Sequence, residues 1–236
     1  MPYKYDLRGR KIWVEPLACD SAPEDPLENS PNLGSKTDTD SGFWKLTPED
    51  LLLKQKIYDL GGVRGGDHVL HEIKNGCHNN FHDRDRMFDA TQTLLELFHY
   101  FGSNRIDVFP VLGTLLGVIR DGSIIPHDDD LDLGFMEEDT VAVKDAIDDL
   151  SSHGFYLIHN RGNTRLTIVK RRILVDLYPY RSMGKVFRQV GNENKNIALP
   201  DALPLKKIDF KDQTILCFNS PESVLDNFYG DWKRPR

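Results

Sequence analysis

The sequence predicts an α+β fold, and three segments of the chain carry that prediction. Residues 83–100 place apolar side chains at the three- and four-residue spacing of an amphipathic helix. Residues 130–135 alternate acidic and apolar side chains, as a strand with one buried face does. Residues 155–181 contain three apolar runs that are typical of strands. Helices and strands are therefore both expected in the folded part of the chain.

The composition divides the chain into three parts. Residues 1–45 are rich in Pro, Asp, Ser and Asn, which predicts a flexible N-terminal arm. Residues 46–82 combine one helix with an irregular loop, since Thr47 can cap a helix and Pro48 suits its first turn. Residues 83–236 hold the other predicted elements and are expected to form the main domain.

The main domain is predicted to alternate between helices, strands and turns. The predicted helices are 83–100, 137–152 and a last one from Ser220 to Gly230. The predicted strands are 105–112, the acidic strand, 155–160, 164–171 and 173–181. Residues 182–198 are predicted to form a loop, and residues 203–218 a hairpin that turns at Lys211 and Asp212.

Residues 109–135, which read FPVLGTLLGVIRDGSIIPHDDDLDLGF, combine the most specific chemistry in the chain. Four aspartates fall within five positions, at Asp128, Asp129, Asp130 and Asp132. Successive side chains on a strand point to opposite faces, so the first, third and fourth of these acids are expected on one face and Asp129 on the other.

Carboxylates on one face repel each other unless a cation lies among them. Their oxygen atoms suit a hard divalent cation, so Mg²⁺ or Mn²⁺ is expected at Asp128, Asp130 and Asp132. The alternative is a solvated acidic turn, which is what most blocks of like charge form. Because Leu131 and Leu133 interleave with the acids, these residues belong to an element with a buried face, which favours the metal site.

Asp176 interrupts a further apolar strand, ILVDLYPY. A charged side chain in a buried strand needs a partner. Asp176 either joins the metal site, or lies at a strand end where it caps a turn or binds an arginine. The first interpretation is favoured, because a bound cation supplies the missing positive charge.

Five possible zinc ligands fall close together, at His68, His71, Cys77, His78 and His82. Their spacing matches no zinc-finger pattern, so polar loop histidines are the favoured interpretation and zinc the alternative.

The composition favours some classes of partner and compartment over others. Thirty basic and 37 acidic residues give a formal net charge of −7, which does not support a nucleic-acid partner. Three widely spaced cysteines do not form a disulfide framework, which favours a reducing compartment. No apolar leader or membrane-spanning run is visible, so a cytoplasmic protein is expected, or a secretory-pathway lumenal one if the chain is a fragment. No feature of the sequence indicates an oligomeric state.

LGTLLGVIRDGSIIPHDDDLDLGF resembles the signature of the LicD/fukutin-related family, in which a GTLLG-x-x-R stretch precedes an IP-x-DDD-x-D-x-G block. ILVDLYPY is similar to the family's VD-hydrophobic-hydrophobic-P strand, and LPLKKIDF and SPESVLDNFYGDW are similar to its C-terminal segments. The resemblance covers residues 83–232. His127 departs from it, because the family commonly has Trp there, and the stretch between Asp176 and LPLKK is short.

The resemblance implies a nucleotidyltransferase-like mixed β-sheet flanked by α-helices, with residues 83–236 as a LicD-like catalytic domain. It also implies a phosphotransferase that moves a phosphorylated alcohol, such as phosphocholine or a polyol or sugar phosphate. The donor would be CDP-activated, and the acceptor would be the hydroxyl of a glycan or glycoconjugate. The alternatives are a nucleotidyltransferase that moves a nucleoside monophosphate and a non-catalytic binding module of the same fold.

The family pattern assigns the acids to catalysis and metal binding. Asp130 and Asp132 match the superfamily's Asp-x-Asp and are the first expected ligands of Mg²⁺ or Mn²⁺, with Asp128 beside them. Asp176 would complete the metal site or take the proton from the acceptor hydroxyl.

Three further residues are expected to bind the substrate. Gly113 lets the backbone approach a phosphate, and Thr114 can donate a hydrogen bond at the start of the following helix. Arg120 offers a fork for phosphate oxygens, and the alternative is a surface arginine near a turn.

Overall fold

The computed structural model describes residues 3–5, 11–13, 48–59 and 80–234. The chain divides into two compact units, Met1–Thr39 and Asp40–Arg236. In the first unit, strands β1 (Tyr3–Tyr5) and β2 (Lys11–Trp13) pair in antiparallel fashion, within the segment that was predicted to be a flexible arm. The rest of that predicted arm lies outside the described residues.

The second unit contains the helices and the main sheet. Its helices are α1 (Pro48–Asp59), α2 (Arg84–Ser103), α3 (Leu112–Asp121), α4 (Thr140–Leu150), α5 (Leu199–Ala202) and α6 (Pro221–Tyr229). Its strands are β3 (Val108–Pro110), β4 (Asp130–Met136), β5 (Tyr156–Asn160), β6 (Leu166–Lys170), β7 (Ile173–Met183), β8 (Val186–Gln189), β9 (Asn196–Ala198), β10 (Lys206–Phe210) and β11 (Gln213–Cys217).

The main sheet is mixed and runs in the order β3-β4-β7-β6-β5. Strands β4 and β7 are parallel neighbours, whereas the β3–β4, β7–β6 and β6–β5 pairs are antiparallel. The far end of β7 also pairs with β8, which pairs with β9. Strands β10 and β11 form a separate hairpin. The predicted α+β class, a mixed sheet flanked by helices, is confirmed.

Apolar side chains cover both faces of this sheet. One core lies under α2 and α4 and includes Leu131 and Leu133 of β4 together with Val175 of β7. A second core, which is rich in aromatic side chains, contains Phe109 and Tyr180 and lies under α6. Because the sheet is covered on both faces, a charged side chain on its central strands is buried unless a cleft opens above it.

The predicted loop at 182–198 is wrong over most of its length. Strand β7 continues to Met183, the chain turns at Gly184 with φ +62°, and β8 returns along β7. The polar sequence hid this hairpin, because only Phe187 and Ile197 of β8 and β9 are buried. A short strand that buries one side chain has little apolar alternation to recognise.

Among the described residues, no helix has both the length and the apolar character needed to cross a membrane.

Candidate metal-binding active site

Three aspartates converge where β4 and β7 run side by side. The parallel register pairs Asp132 directly with Asp176, and Asp130 lies two residues earlier on the same face of β4. Carboxylate oxygens from all three side chains lie within 4.8 Å of one another. Asp132 is 7% exposed and Asp176 is 4% exposed, so two of the three negative charges are buried.

The alternation of the two strands explains this placement. Leu131 and Leu133 point into the main core, so Asp130 and Asp132 must point to the other face. In the same way, Val175 and Leu177 belong to the core and leave Asp176 on the face of the acids. The predicted meeting of Asp130, Asp132 and Asp176 therefore agrees with the geometry.

Asp128 and Asp129 do not follow the alternation of the strand. Strand β4 begins at Asp130, so the strand alternation does not extend back to Asp128 and Asp129. Carboxylate oxygens of Asp128, Asp129 and Asp130 form a second group within 4.8 Å. Asp129 was expected to face away, and its exposed carboxylate instead approaches its neighbours because the chain turns before the strand starts.

Gly113 lies against the acids at the start of α3. A Cβ atom at this position would collide with Oδ2 of Asp128, so a larger residue here would require that carboxylate to move. The preceding Leu112 has φ +48°, a left-handed conformation that costs a non-glycine residue free energy. Val111 anchors the turn, because its N–H donates to the carbonyl oxygen of Asp132 at 3.1 Å.

Thr114 ties α3 to the acidic strand. Its Oγ1 accepts a hydrogen bond from the backbone N–H of Asp132 at 2.8 Å, and its side chain is buried. The hydroxyl therefore has a visible positioning role. A hydrogen bond from Thr114 to a substrate phosphate stays a prediction.

Asp176 is held by three side chains. Arg165 Nη1 donates to Oδ2 at 2.9 Å, Tyr178 donates its hydroxyl to the same oxygen at 3.0 Å, and Thr167 donates to Oδ1 at 2.5 Å. This carboxylate lies beside the other acids and also binds an arginine, and its role as a metal ligand stays a prediction.

The sequence analysis did not select Arg165, Thr167 or Tyr178. A signal was present, because Arg165 and Thr167 alternate with buried residues in TRLTIVK, and Tyr178 follows Asp176 by two positions. Their convergence depends on the pairing of β6 with β7, which places Thr167 opposite Asp176. That pairing is not visible in the sequence of either strand.

The electrostatics of the site reflect crowded negative charge. Burial raises the pKa of Asp132 well above its ordinary value, and the nearby carboxylates of Asp130, Asp176 and Asp128 raise it further, whereas the N–H of Gly113 opposes the rise. Burial also raises the pKa of Asp128. The ionised forms of these groups therefore lack compensating positive charge.

Arg120 lies at the C-terminal end of α3, next to the turn. Its Nε and Nη2 donate to the carboxylate of Asp121 at 2.9 and 2.7 Å, so the fork that was predicted to bind phosphate is engaged by an acid. This hydrogen bond is also the main reason that the pKa of Arg120 is raised. Binding of a phosphate by Arg120 stays a prediction.

A cavity of about 150 Å³ adjoins Arg120 and is also lined by Tyr229 and Trp232 of the C-terminal segment. Burial raises the pKa of Tyr229 to about 12, with smaller contributions from Asp132 and Asp128. The cavity is also lined by His127, which precedes Asp128 in the sequence.

The residues present fit a hard divalent cation. Oxygen atoms from three carboxylates converge, two of the carboxylates are buried, and one of the buried two, Asp176, forms an ion pair with Arg165. Of the five possible zinc ligands, only His82 is described, where it is exposed, and the other four lie outside the described residues.

Residues 105–219 match the family model described as LicD/FKTN/FKRP, nucleotidyltransferase domain. The resemblance that the acidic motif and the ILVDLYPY strand carry is thereby confirmed over this part of the chain, which contains every predicted site residue.

Two curated relatives are uncharacterized proteins of Rickettsia. The chain is 25% identical over 146 residues to one from Rickettsia typhi, and 26% identical over 154 residues to one from Rickettsia prowazekii. Each match covers 61% of this chain, and they cover 46% and 54% of the respective relatives. The chain thus spans about half the length of the curated relatives it matches.

Two solved structures are similar to 61% of the chain. One is the lincosamide antibiotic adenylyltransferase LnuA with lincomycin bound, at 17% identity and a TM-score of 0.44, with 87% of that chain covered. The other is ANT(2")-Ia in complex with adenylyl-2"-tobramycin, at 15% identity and a TM-score of 0.43, with 79% of that chain covered.

Proposed function

We propose that this protein is a metal-dependent phosphotransferase that moves a phosphorylated alcohol from a CDP-activated donor to a glycan hydroxyl. The observation that carries the proposal is the convergence of Asp130, Asp132 and Asp176 inside a LicD-type domain. Transfer of a phosphoryl group requires neutralisation of phosphate charge and fixed positioning of both reactants. Converging carboxylates that bind a cation provide the first of these.

Asp130, Asp132 and Asp176 would bind Mg²⁺ or Mn²⁺, with Asp128 beside them. The cation supplies charge neutralisation for the phosphoryl oxygens. The protein contributes rigid placement, because Asp132 and Asp176 lie on paired strands and Thr114 binds the backbone of Asp132.

The hydrogen bonds that the Asp176 carboxylate accepts limit the number of further ligands that it can bind. A carboxylate has about four acceptor positions. Thr167, Arg165 and Tyr178 occupy three of them, which leaves one position on Oδ1. Since the Asp176 ligand atom lies within 4.8 Å of those of Asp130 and Asp132, we assign the remaining position to the cation.

In the proposed reaction, the acceptor oxygen forms a bond to the phosphorus of the alcohol phosphate. The bond from that phosphorus to the bridging oxygen breaks, and CMP leaves with the bonding electrons. The proton of the acceptor hydroxyl passes to a carboxylate of the cluster. Gly113 lies against Oδ2 of Asp128 at the start of α3, and we assign the approach of a phosphate to this backbone.

The test is a panel of CDP-linked alcohols with a glycan acceptor, in the presence of Mg²⁺ or Mn²⁺, with CMP release as the measurement. CMP release that needs both the cation and the acceptor supports the proposal. An Asp212→Ala variant is the matched control, because Asp212 is an exposed acid on the β10–β11 turn. Its rate should equal that of the unchanged protein.

A nucleotidyltransferase that moves CMP itself is the second candidate, because the matching family model is described as a nucleotidyltransferase domain. A donor that carries the label on the alcohol phosphate separates the two reactions. Label on the glycan supports the phosphotransferase, whereas free labelled alcohol phosphate supports transfer of CMP. A protein that binds neither Mg²⁺ nor Mn²⁺ in calorimetry would instead be a non-catalytic module.

A further inference from the structure

The C-terminal segment forms a fixed wall that has no part in the reaction proposed above. Helix α6 ends at Tyr229, and Gly230 reverses the chain with φ +65°, a conformation that favours glycine. Trp232 then folds back on the helix, where its Nε1 donates to Oδ1 of Asp226 at 2.7 Å and the residue is 6% exposed. The turn therefore holds Tyr229 and Trp232 in the lining of the cavity of about 150 Å³.

Other lining residues of this cavity belong to elements of the acidic site. Leu116 and Arg120 lie on α3, and His127 immediately precedes Asp128. Gly113, which lies against Oδ2 of Asp128, is three positions before Leu116, so the two are neighbours on one face of α3. One turn of an α-helix rises about 5 Å. The cavity therefore begins about one helical turn from the end of α3 that contacts Asp128.

The size and lining of the cavity indicate a planar ring as its ligand. A cavity of about 150 Å³ accommodates a benzene-sized ring, so its volume suits a pyrimidine better than the two fused rings of a purine. Leu116, Tyr229 and Trp232 provide apolar and aromatic surface, and Arg120 and Asp231 provide charge. Small-molecule sites combine such a lining with a few polar groups that fix orientation, and aromatic side chains bind nucleobases by stacking.

The cationic residues in the lining distinguish among the parts of the proposed donor. Aromatic side chains beside a carboxylate would also suit a quaternary ammonium group such as choline. Arg120 and Arg234 both line the cavity, and their positive charge opposes the binding of a cation there. A neutral base is therefore favoured over a cationic alcohol.

Asp231 provides a means of selecting one pyrimidine. A carboxylate accepts a hydrogen bond from the 4-amino group of cytosine, whereas uracil and thymine have an acceptor oxygen at that position. The Asp231 side chain is 63% exposed, and its Oδ2 lies 3.7 Å from Nε of Arg234. An exposed ion pair of this length contributes little, so the carboxylate is accessible to a ligand.

We propose that this cavity binds the cytosine base of the donor, with Asp231 accepting from the 4-amino group and the ring lying against Tyr229 and Trp232. The proposal rests on the proposed function and names the part of the substrate that determines which nucleotide is used. The diphosphate extends from the cavity along α3 towards Gly113 and Asp128, the backbone to which the approach of a phosphate is assigned.

The test is calorimetry in the presence of Mn²⁺ with CMP, UMP, AMP and ribose 5-phosphate, which lacks a base. We expect CMP to bind about tenfold more tightly than each of the others, because base stacking and a hydrogen bond to a charged group each contribute on this scale. Asp231→Asn should bring the affinities for CMP and UMP within about threefold of each other, because an amide both donates and accepts. Asp212→Asn, the matched change on the exposed β10–β11 turn, should keep the tenfold preference.

A second variant tests the aromatic wall. Tyr229→Leu should weaken the binding of CMP and UMP by about tenfold each, because it removes surface on which the base stacks. Its affinity for ribose 5-phosphate should equal that of the unchanged protein. Equal binding of CMP by Tyr229→Leu and the unchanged protein would contradict the assignment.

The outcomes separate the base assignment from the proposed function. The inference is wrong if CMP binds no more tightly than UMP or ribose 5-phosphate, or if Asp231→Asn keeps the full preference for CMP. It is also wrong if Asp231→Asn weakens binding of phosphocholine and not of CMP, since the cavity then binds the alcohol part of the donor. If CMP binds with the expected selectivity but no CDP-linked alcohol releases CMP, the proposed function is wrong and the base assignment stands.

Discussion

Strand β6 contributes to two clusters of buried charge that differ in how they are balanced. On one side, Lys170 and Arg171 donate to the two oxygens of Glu96, which is 1% exposed, so each carboxylate oxygen has a cationic partner. On the other side, Thr167 and Arg165 bind Asp176, whose neighbours Asp130 and Asp132 add further negative charge.

From this difference we interpret the Glu96 cluster as structural and the Asp176 cluster as functional. The Glu96 cluster is closed, because its acid is satisfied by basic residues of the same chain. The Asp176 cluster is unbalanced, because burial raises the pKa of Asp132 and the charges of Asp130 and Asp176 raise it further. Buried charge is tolerated only with partners, so we expect the second cluster to bind a cation and the first to bind none. The following variants test this contrast, from the largest expected effect to the smallest.

Asp130→Ala removes a ligand from the unbalanced cluster. We expect CMP release to fall by about a thousandfold or more, because charge neutralisation at the phosphoryl group accounts for several kcal/mol of the barrier. The free energy of unfolding should not fall, since the change removes a repelling charge. Activity that survives in this variant at saturating Mg²⁺ would contradict the metal assignment.

Glu96→Gln breaks the balanced cluster. It leaves the ammonium of Lys170 and the guanidinium of Arg171 without their counter-charge, and breaking a buried pair costs about 3–5 kcal/mol. Urea denaturation should show this loss, while the variant that remains folded keeps its Mn²⁺ affinity. A variant of normal stability would mean that this pair is not a structural contact.

Asp132→Asn should stabilise the cation-free protein at neutral pH. Burial and the neighbouring acids raise the pKa of Asp132, so the folded state binds its proton more tightly than the unfolded state. The stability contributed by protonated Asp132 is therefore present at low pH and lost as the pH rises through the raised pKa. In thermal unfolding in EDTA, the Tm of Asp132→Asn should increase relative to that of the unchanged protein as the pH rises. A constant difference across pH would show that Asp132 is not perturbed.

Thr167→Val and Thr93→Val form a matched pair of smaller changes. Both threonines are buried, but Thr167 donates to Asp176, whereas the hydroxyl of Thr93 has no hydrogen-bond partner. Thr167→Val should reduce kcat by about tenfold, since hydrogen bonds to charged groups contribute about 1.5–3 kcal/mol. Thr93→Val should leave kcat unchanged. Equal effects of the two changes on kcat would contradict a role for Thr167 in the site.

Local periodicity was enough to predict the acids and most of the elements. The alternation of Leu131 and Leu133 with aspartates placed β4, and the apolar context of Asp176 showed that this charge needed a partner. The hairpin at 203–218 and the helix from Pro221 were also predicted, because turn and capping residues mark them.

The other features of the site and the sheet could not be predicted, because they depend on contacts between strands that are distant in the sequence. Arg165 and Thr167 join the site only because β6 pairs with β7, and Asp129 approaches the other acids because the strand begins one residue later. Strands β8 and β9 were missed because the pairing of β8 with β7 and of β9 with β8, and not their own apolar pattern, defines them. Register and pairing are properties of the folded sheet, which a single strand sequence does not encode.

Mn²⁺ titration by calorimetry tests the central claim most directly. The unbalanced carboxylates predict that the unchanged protein binds Mn²⁺, that Asp132→Asn abolishes or strongly weakens this binding, and that Glu96→Gln does not. Absence of binding, or equal binding by all three proteins, would contradict a metal site at Asp130, Asp132 and Asp176.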